Sequence, residues 1–380
     1  MVVEVEINSV GQYFRGEADS TFFLPLDSYL AQSPVGRVLP AARMGAWRYR
    51  GVQLLLPRDV NPVGLMYRAD LFSAAGVDVG RCANWGAFIA GCQRYEAFWA
   101  AHGQPQRRAF ELPRGNASAV LVILQQRGVR LIDLMGAPRL TDERVVSTLM
   151  AYGRWLASGV GANPERTIVD TAEALQDGRL GALLTPDWRA GQLRRAAPEL
   201  FKGGEVRLRG LPVFSASDVP ADAPTASWGG TGVGIPRDTP SPLMSWKMIE
   251  ALYLDRESNE RRWEETGVLP AVTTLWVQGL GVRGQGLAVG GAGGEWGAGG
   301  ILGDPFVPLA MRLPMTGASS VITPRLQMEL NGIVGELRRR LGRESSVGRE
   351  DQVGAAGGAE AWLRGALREA EGRLGRELAQ

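Results

Sequence analysis

The chain has 380 residues, of which 45% are hydrophobic and 22% charged, an ordinary globular balance with room for two domains or one two-lobed molecule. Its 42 basic and 40 acidic side chains leave a net charge of +2, which gives no ground for nucleic acid or an anionic membrane as partner. One histidine, His102, leaves no basis for zinc, Ser-His-Asp or Cys-His chemistry, and no apolar run approaches the roughly 20 residues that span a bilayer.

Val3, Val5 and Ile7 alternate with Glu4, Glu6 and Asn8, the period-two pattern of a strand with one face on a core. Its carboxyl end delivers Glu6, Asn8 and Ser9 into a loop. Residues 54–56 and 63–67 read as two further strands around the turn Pro57-Arg58-Asp59, followed by a short helix from Ala69 that Gly76 stops. Trp85, Phe88, Ile89, Cys92 and Trp99 then share one helical stripe behind Asn84, a capping residue. Ten residues of mostly helical chain separate Cys82 from Cys92 by roughly 12–15 Å. A disulfide tolerates Cα atoms no more than about 7 Å apart, so both cysteines read as free thiols. Helices are expected over 120–126, from Thr141-Asp142-Glu143 through Leu156, and over 171–177, where Gly178 ends the last. Residues 181–184 form a short buried strand ending at Pro186-Asp187-Trp188, and 208–214 another. Residues 215–226 read as a surface loop. A helix with Ser241 at its cap and Pro242 in its first turn buries Leu243, Trp246, Ile249, Leu252 and Tyr253; the next carries Trp263 and stops at Gly267. Residues 279–303 are dense in glycine, and 359–378 are strongly amphipathic. Strands alternating with helices argue for an α/β architecture.

The candidate functional residues lie at strand ends. Of the 11 tryptophans, Trp85, Trp155, Trp246, Trp263 and Trp362 fall on apolar helical stripes and read as core. Trp276 and Trp296 are intermediate. Trp188 and Trp228 instead follow short strands in turns bounded by Pro or Gly. In Ser227-Trp228-Gly229-Gly230-Thr231-Gly232-Val233-Gly234-Ile235 a flat ring stands beside bare main chain, which suits a ligand with an apolar face and an edge of hydroxyls, as sugars have. Glu6, Asp59 and Asp187 each follow a strand. Two of them could serve as a glycosidase pair, or as hydrogen-bond acceptors for hydroxyls. Gly279-Leu280-Gly281-Val282-Arg283-Gly284 matches the dinucleotide fingerprint in letters alone, without the strand before it and helix after it that the mechanism needs. Asn116-Ala117-Ser118 fits a glycosylation triplet that is common by chance.

The order of several segments adds a resemblance. Pro57-Arg58-Asp59, Tyr67-Arg68-Ala69-Asp70-Leu71-Phe72 and Ala75-Gly76-Val77-Asp78 come first, with Trp85 and Phe88. Asp177-Gly178-Arg179-Leu180-Gly181-Ala182, Asp187-Trp188, Leu211-Pro212-Val213-Phe214 and the Trp228 segment follow, then Trp246-Lys247-Met248-Ile249-Glu250 and Glu265-Thr266-Gly267-Val268-Leu269-Pro270. Together they resemble the extracellular solute-binding proteins of sugar ABC transporters, the maltose-binding-protein-like group. The resemblance implies a type II periplasmic-binding-protein fold, two α/β lobes joined by a hinge, here without the first strand and helix of the first lobe. It assigns 1–110 and 229–315 to the first lobe, 111–228 and 316–380 to the second, and leaves 279–303 as an insert. It also implies a non-enzymatic receptor with no cofactor and no metal, a monomer that gives a mono- or oligosaccharide to a membrane permease. Its location would be periplasmic or extracellular and membrane-associated, although this sequence opens on a strand pattern and displays no signal peptide. The ligand contacts carried over are Glu6, Asn8, Ser9, Arg58, Asp59, Trp188, Trp228, Gly229 and Gly230. The competing expectations are a sugar-binding sensor, a truncated remnant that no longer transports, and a glycoside hydrolase built on two of Glu6, Asp59 and Asp187.

Overall fold

The computed structural model describes residues 1–33, 38–133, 135–214, 222–277, 304–315, 317, 319–346 and 352–379. Along the chain come β1 (Val3–Glu6), α1 (Ile7–Val10), α2 (Asp27–Gln32), α3 (Ala41–Met44), β2 (Arg48–Tyr49), β3 (Val52–Gln53), β4 (Leu55–Pro57) and β5 (Val63–Arg68). Five helices follow, α4 (Ala69–Ala74), α5 (Trp85–Ala101), α6 (Ser118–Gln126), α7 (Glu143–Ala157) and α8 (Ile168–Gln176). Then come β6 (Ala182–Pro186), α9 (Asp187–Ala196), α10 (Pro198–Lys202), β7 (Val206–Arg209) and β8 (Thr231–Gly234). The remaining helices are α11 (Pro242–Ile249), α12 (Arg256–Thr266), α13 (Thr274–Val277), α14 (Val307–Ala310), α15 (Thr323–Ser346) and α16 (Gln352–Leu378).

Two sheets organise the molecule. One has the order β1-β8-β4, with β8 antiparallel to both neighbours and Val5 opposite Gly232. The other has the order β6-β5-β7, again antiparallel, with Leu65 opposite both Leu184 and Arg209. Every residue of β5 is buried, because both of its faces are covered. Val63, Leu65 and Tyr67 face a core completed by α5, α6, α7, α15 and α16. Met66 faces a second core that also takes Leu183 and Val206 from its own sheet, and Leu56 and Val233 from the other. A third, small core beneath β1 and β4 holds Val5, Phe14, Phe23, Trp47 and Leu55.

Most elements lie where the residue pattern puts them. Asn84 Oδ1 accepts from Ala87 N and caps α5, Thr167 and Asp170 form a reciprocal capping box on α8, and Gly267 ends α12 at φ +72°. Cys82 and Cys92 are buried free thiols. Four expectations change. β5, assigned to the first lobe on sequence, pairs with strands assigned to the second, so a boundary at residue 110 does not separate the two sheets. The strand expected over 208–214 stops at Arg209: Gly210 N–H is followed within two residues by Pro212, which has none to give. Ser241 precedes α11 without a side-chain capping bond. Leu243 and Leu252, expected in the core, are exposed. The glycine-dense residues 279–303, with Trp296, lie outside the described residues.

Candidate functional site

The chain crosses between the two sheets at 58–63 and again at 226–231, and these crossings run antiparallel to each other. Trp228 N donates to Asn61 O at 3.0 Å, Val63 N to Ala226 O at 2.8 Å and Arg58 N to Thr231 O at 2.8 Å. A third segment joins them where Val60 N meets Leu269 O at 3.2 Å. Such bare backbone pairs need side chains to brace them, and the braces are charged and buried. Arg43, on α3 and 1% exposed, donates through Nη1 to Ser227 Oγ at 2.5 Å and through Nη2 to Gly229 O at 3.0 Å. Asp187 is 1% exposed; it accepts from Leu269 N and Trp188 N, each at 2.7 Å, and from Asn61 Nδ2 at 3.3 Å. Burial pushes its carboxyl up to about 8, against the pull of these donors. Asp59 accepts from Thr231 N and Arg58 Nε; its pKa is raised by burial despite Arg58 and Arg43. Burial also lowers the Arg43 pKa, and the two carboxylates oppose that shift.

Two cavities flank this junction. The first, of about 520 Å³, is lined by Glu6, Asn8, Arg58, Asp59, Trp188, Trp228, Gly229 and Gly230, eight of the nine contacts expected from sequence. Ser9 is the exception: it is exposed on α1 and lines neither this cavity nor the next. Asn61, Gln192, Arg195, Thr231 and Thr266 add to the polar wall. Trp188 and Trp228 are both half-buried, and Trp188 Nε1 donates to Trp228 O at 3.1 Å, which fixes one indole against the backbone of the other. Glu6 folds back on Asn8, taking Asn8 N at 2.7 Å and Asn8 Nδ2 at 3.0 Å, and partial burial raises its pKa.

The second cavity, of about 370 Å³, shares Asn8, Trp228 and Gly229 with the first and runs between α6 and α15, with Arg43 and residues 129–132 among its other walls. Arg43, Asn116, Ser118, Gln125, Gln327 and Asn331 line it, and Gln327 Nε2 reaches across to Asn8 Oδ1 at 2.8 Å. None of these except Asn8 stands out in the sequence. Asn116 and Ser118 belong to the triplet set aside as chance, and Arg43 gives no local signal at all. Asn61 could have been found as the polar residue beside Pro62 at a strand entrance.

A family model described as bacterial extracellular solute-binding protein matches residues 5–275. The chain belongs to that family. No curated protein sequence matches the chain. Among solved structures, the sugar-binding protein MalE of Xanthomonas citri superposes with a TM-score of 0.72 at 18% identity, covering 100% of this chain and 83% of its own. An ABC-transporter solute-binding protein of Thermotoga lettingae, bound to α-D-tagatose, gives 0.69 at 14% identity over 99% and 85% of the two chains. The transporter-associated binding protein of B. animalis subsp. lactis, in complex with β-1,6-galactobiose, gives 0.63 at 17% identity over 98% and 85%. This solute-binding protein therefore has the type II periplasmic-binding fold. Its family is extracellular and consists of binding proteins. No helix among the described residues is long and apolar enough to cross a membrane.

Proposed function

We propose that the protein is the substrate-binding subunit of an ABC importer, which captures a mono- or oligosaccharide between its lobes and hands it to a membrane permease. The observation that carries this reading is the convergence of Trp188, Trp228, Gly229 and Gly230 with Glu6, Asn8 and Arg58 on one cavity beside the chain crossings. In this reading the first lobe is built on the β1-β8-β4 sheet and the second on the β6-β5-β7 sheet, with residues 58–63 and 226–231 as hinge. Closure is a population shift, since a guest touching both walls favours the closed form by its extra contacts there. Two aromatic faces, at on the order of 1 kcal/mol each beyond area burial, and a handful of hydrogen bonds at about 1 kcal/mol each give a micromolar receptor.

The hydrolase reading finds little support in the carboxylates. Both oxygens of Asp187 and both of Asp59 are spent on the brace, and neither side chain is exposed. A thermal-shift and calorimetric screen against mono- and oligosaccharides tests the receptor reading, because a ligand at about 100 times its Kd adds roughly 2.7 kcal/mol to the folded state. Trp188→Ala and Trp228→Ala should each weaken the hit about tenfold, in line with ~1.4 kcal/mol per decade. Unchanged binding in both would remove the site from these indoles.

A further inference from the structure

The wall of the α6–α15 cavity is polarised in its hydrogen bonding. Three of its amide oxygens are engaged by the protein, while Gln327 spends its Nε2 on Asn8 and keeps its oxygen. Gln125 Oε1 accepts from Ser227 N at 3.1 Å, and Asn331 Oδ1 from Ala117 N at 2.7 Å. Asn116 Oδ1 accepts from both Ser118 N, at 3.0 Å, and Ser118 Oγ, at 2.5 Å. An amide carries an oxygen with two lone pairs and one NH2 group, so each of these three side chains keeps its whole donor end, against at most one spare lone pair on Gln125 Oε1 and on Asn331 Oδ1. No hydrogen bond among the described residues engages Asn116 Nδ2, Gln125 Nε2 or Asn331 Nδ2, and none of the three side chains is fully buried.

The charges agree with the donors. Arg43 and the exposed Arg130 line this cavity, and no Asp or Glu does among its described lining residues. The first turns of α6, at Ser118, and of α15, at Thr323, also line it, which adds the positive ends of two helix dipoles. A neutral sugar presents hydroxyls that donate as well as accept, and without a carboxylate this wall offers their protons fewer partners than its donors and charges offer an anion. A carboxylate presents about four acceptor sites and no donor.

We propose that the cavity between α6 and α15 selects an acidic saccharide, one carrying a carboxylate, over its neutral counterpart. This rests on the saccharide-receptor reading above and names the class of ligand within it. Calorimetry at pH 7 with galacturonate, glucuronate and digalacturonate, each beside galactose, glucose or galactobiose, measures the preference directly. The acids should bind at least tenfold tighter, with affinity that falls as salt rises. Gln125→Glu and Asn331→Asp are the decisive variants. Each keeps the oxygen that holds Ser227 N or Ala117 N and replaces the free donor with a second carboxylate oxygen. Either should cut affinity for the acids at least tenfold while neutral sugars hold or gain. Neutral sugars binding the wild type as well as the acids do would overturn the proposal and leave the receptor reading standing. So would preference for galactose 6-phosphate with no response to the uronates, which would move the selection from carboxylate to phosphate. If no saccharide of any kind binds, the receptor reading falls and the proposal with it.

Discussion

Gly230 sits at φ +132°, where an L side chain is strained, and a Cβ there would lie 2.0 Å from Arg43 Nη2 and 3.1 Å from Asn61 Oδ1. Replacing it with alanine therefore costs twice. Backbone strain of this kind is on the order of 1–3 kcal/mol. The guanidinium must also retreat, which breaks its bond to Gly229 O, and a hydrogen bond to a charged group is worth about 1.5–3 kcal/mol. Gly230→Ala should thus destabilise by about 2.5–6 kcal/mol. Gly51→Ala is the control: φ is +84° but no atom lies within 4 Å of the added methyl, so it should lose only the backbone share, about 1–2 kcal/mol. Urea unfolding at 25 °C measures both. In an Arg43→Ala background the Gly230 substitution should fall back toward the control value, a coupling of about 1.5–3 kcal/mol. If Gly230→Ala costs no more than Gly51→Ala, Arg43 is not wedged against this backbone and the account of the brace is wrong.

Glu111 is 4% exposed and grips Arg189 through two bonds of 2.7 Å; Glu111→Ala leaves the arginine unpaired and should cost about 3–5 kcal/mol in the same urea assay. Asp187 sets a pH dependence. Its folded pKa of about 8 lies above the ordinary carboxylate value, so between about 4 and 8 the folded state holds a proton that the unfolded state has released. The stability this gives is complete below the unfolded pKa and is lost as pH rises toward 8. Urea midpoints should fall from pH 5 to pH 8, and Asp187→Asn should flatten that fall without abolishing it, because Asp59 is shifted in the same direction.

The strand-end residues that line the first cavity were legible as turn residues because each depends on local chain chemistry: Pro186 before Asp187-Trp188, and glycines after Trp228, announce turns at the ends of apolar runs. The second cavity was not legible. Gln125 and Asn331 sit on helices far apart in sequence, and nothing in either helix says that its amide oxygen is occupied by backbone from elsewhere. Arg43 resembles any surface arginine until Ser227 and Gly229 are folded around it. The boundary expected at residue 110 does not divide the two sheets, for a physical reason. Val63-Gly64-Leu65-Met66-Tyr67 is apolar without alternation, the mark of a strand covered on both faces. It is the middle strand of its own sheet and continues neither β1 nor β4.

In the hinged reading proposed above, the core that draws Leu56 and Val233 from one sheet and Met66, Leu183 and Val206 from the other would be the fulcrum. Material packed to crystal-like density is hardly compressible and transmits strain. An opening would then fall at the contacts outside it, where Gln327 meets Asn8 and Gly11 abuts Ser320. In that reading a few degrees at the pivot would become ångströms at that rim, and a guest held there would work on the whole molecule with leverage.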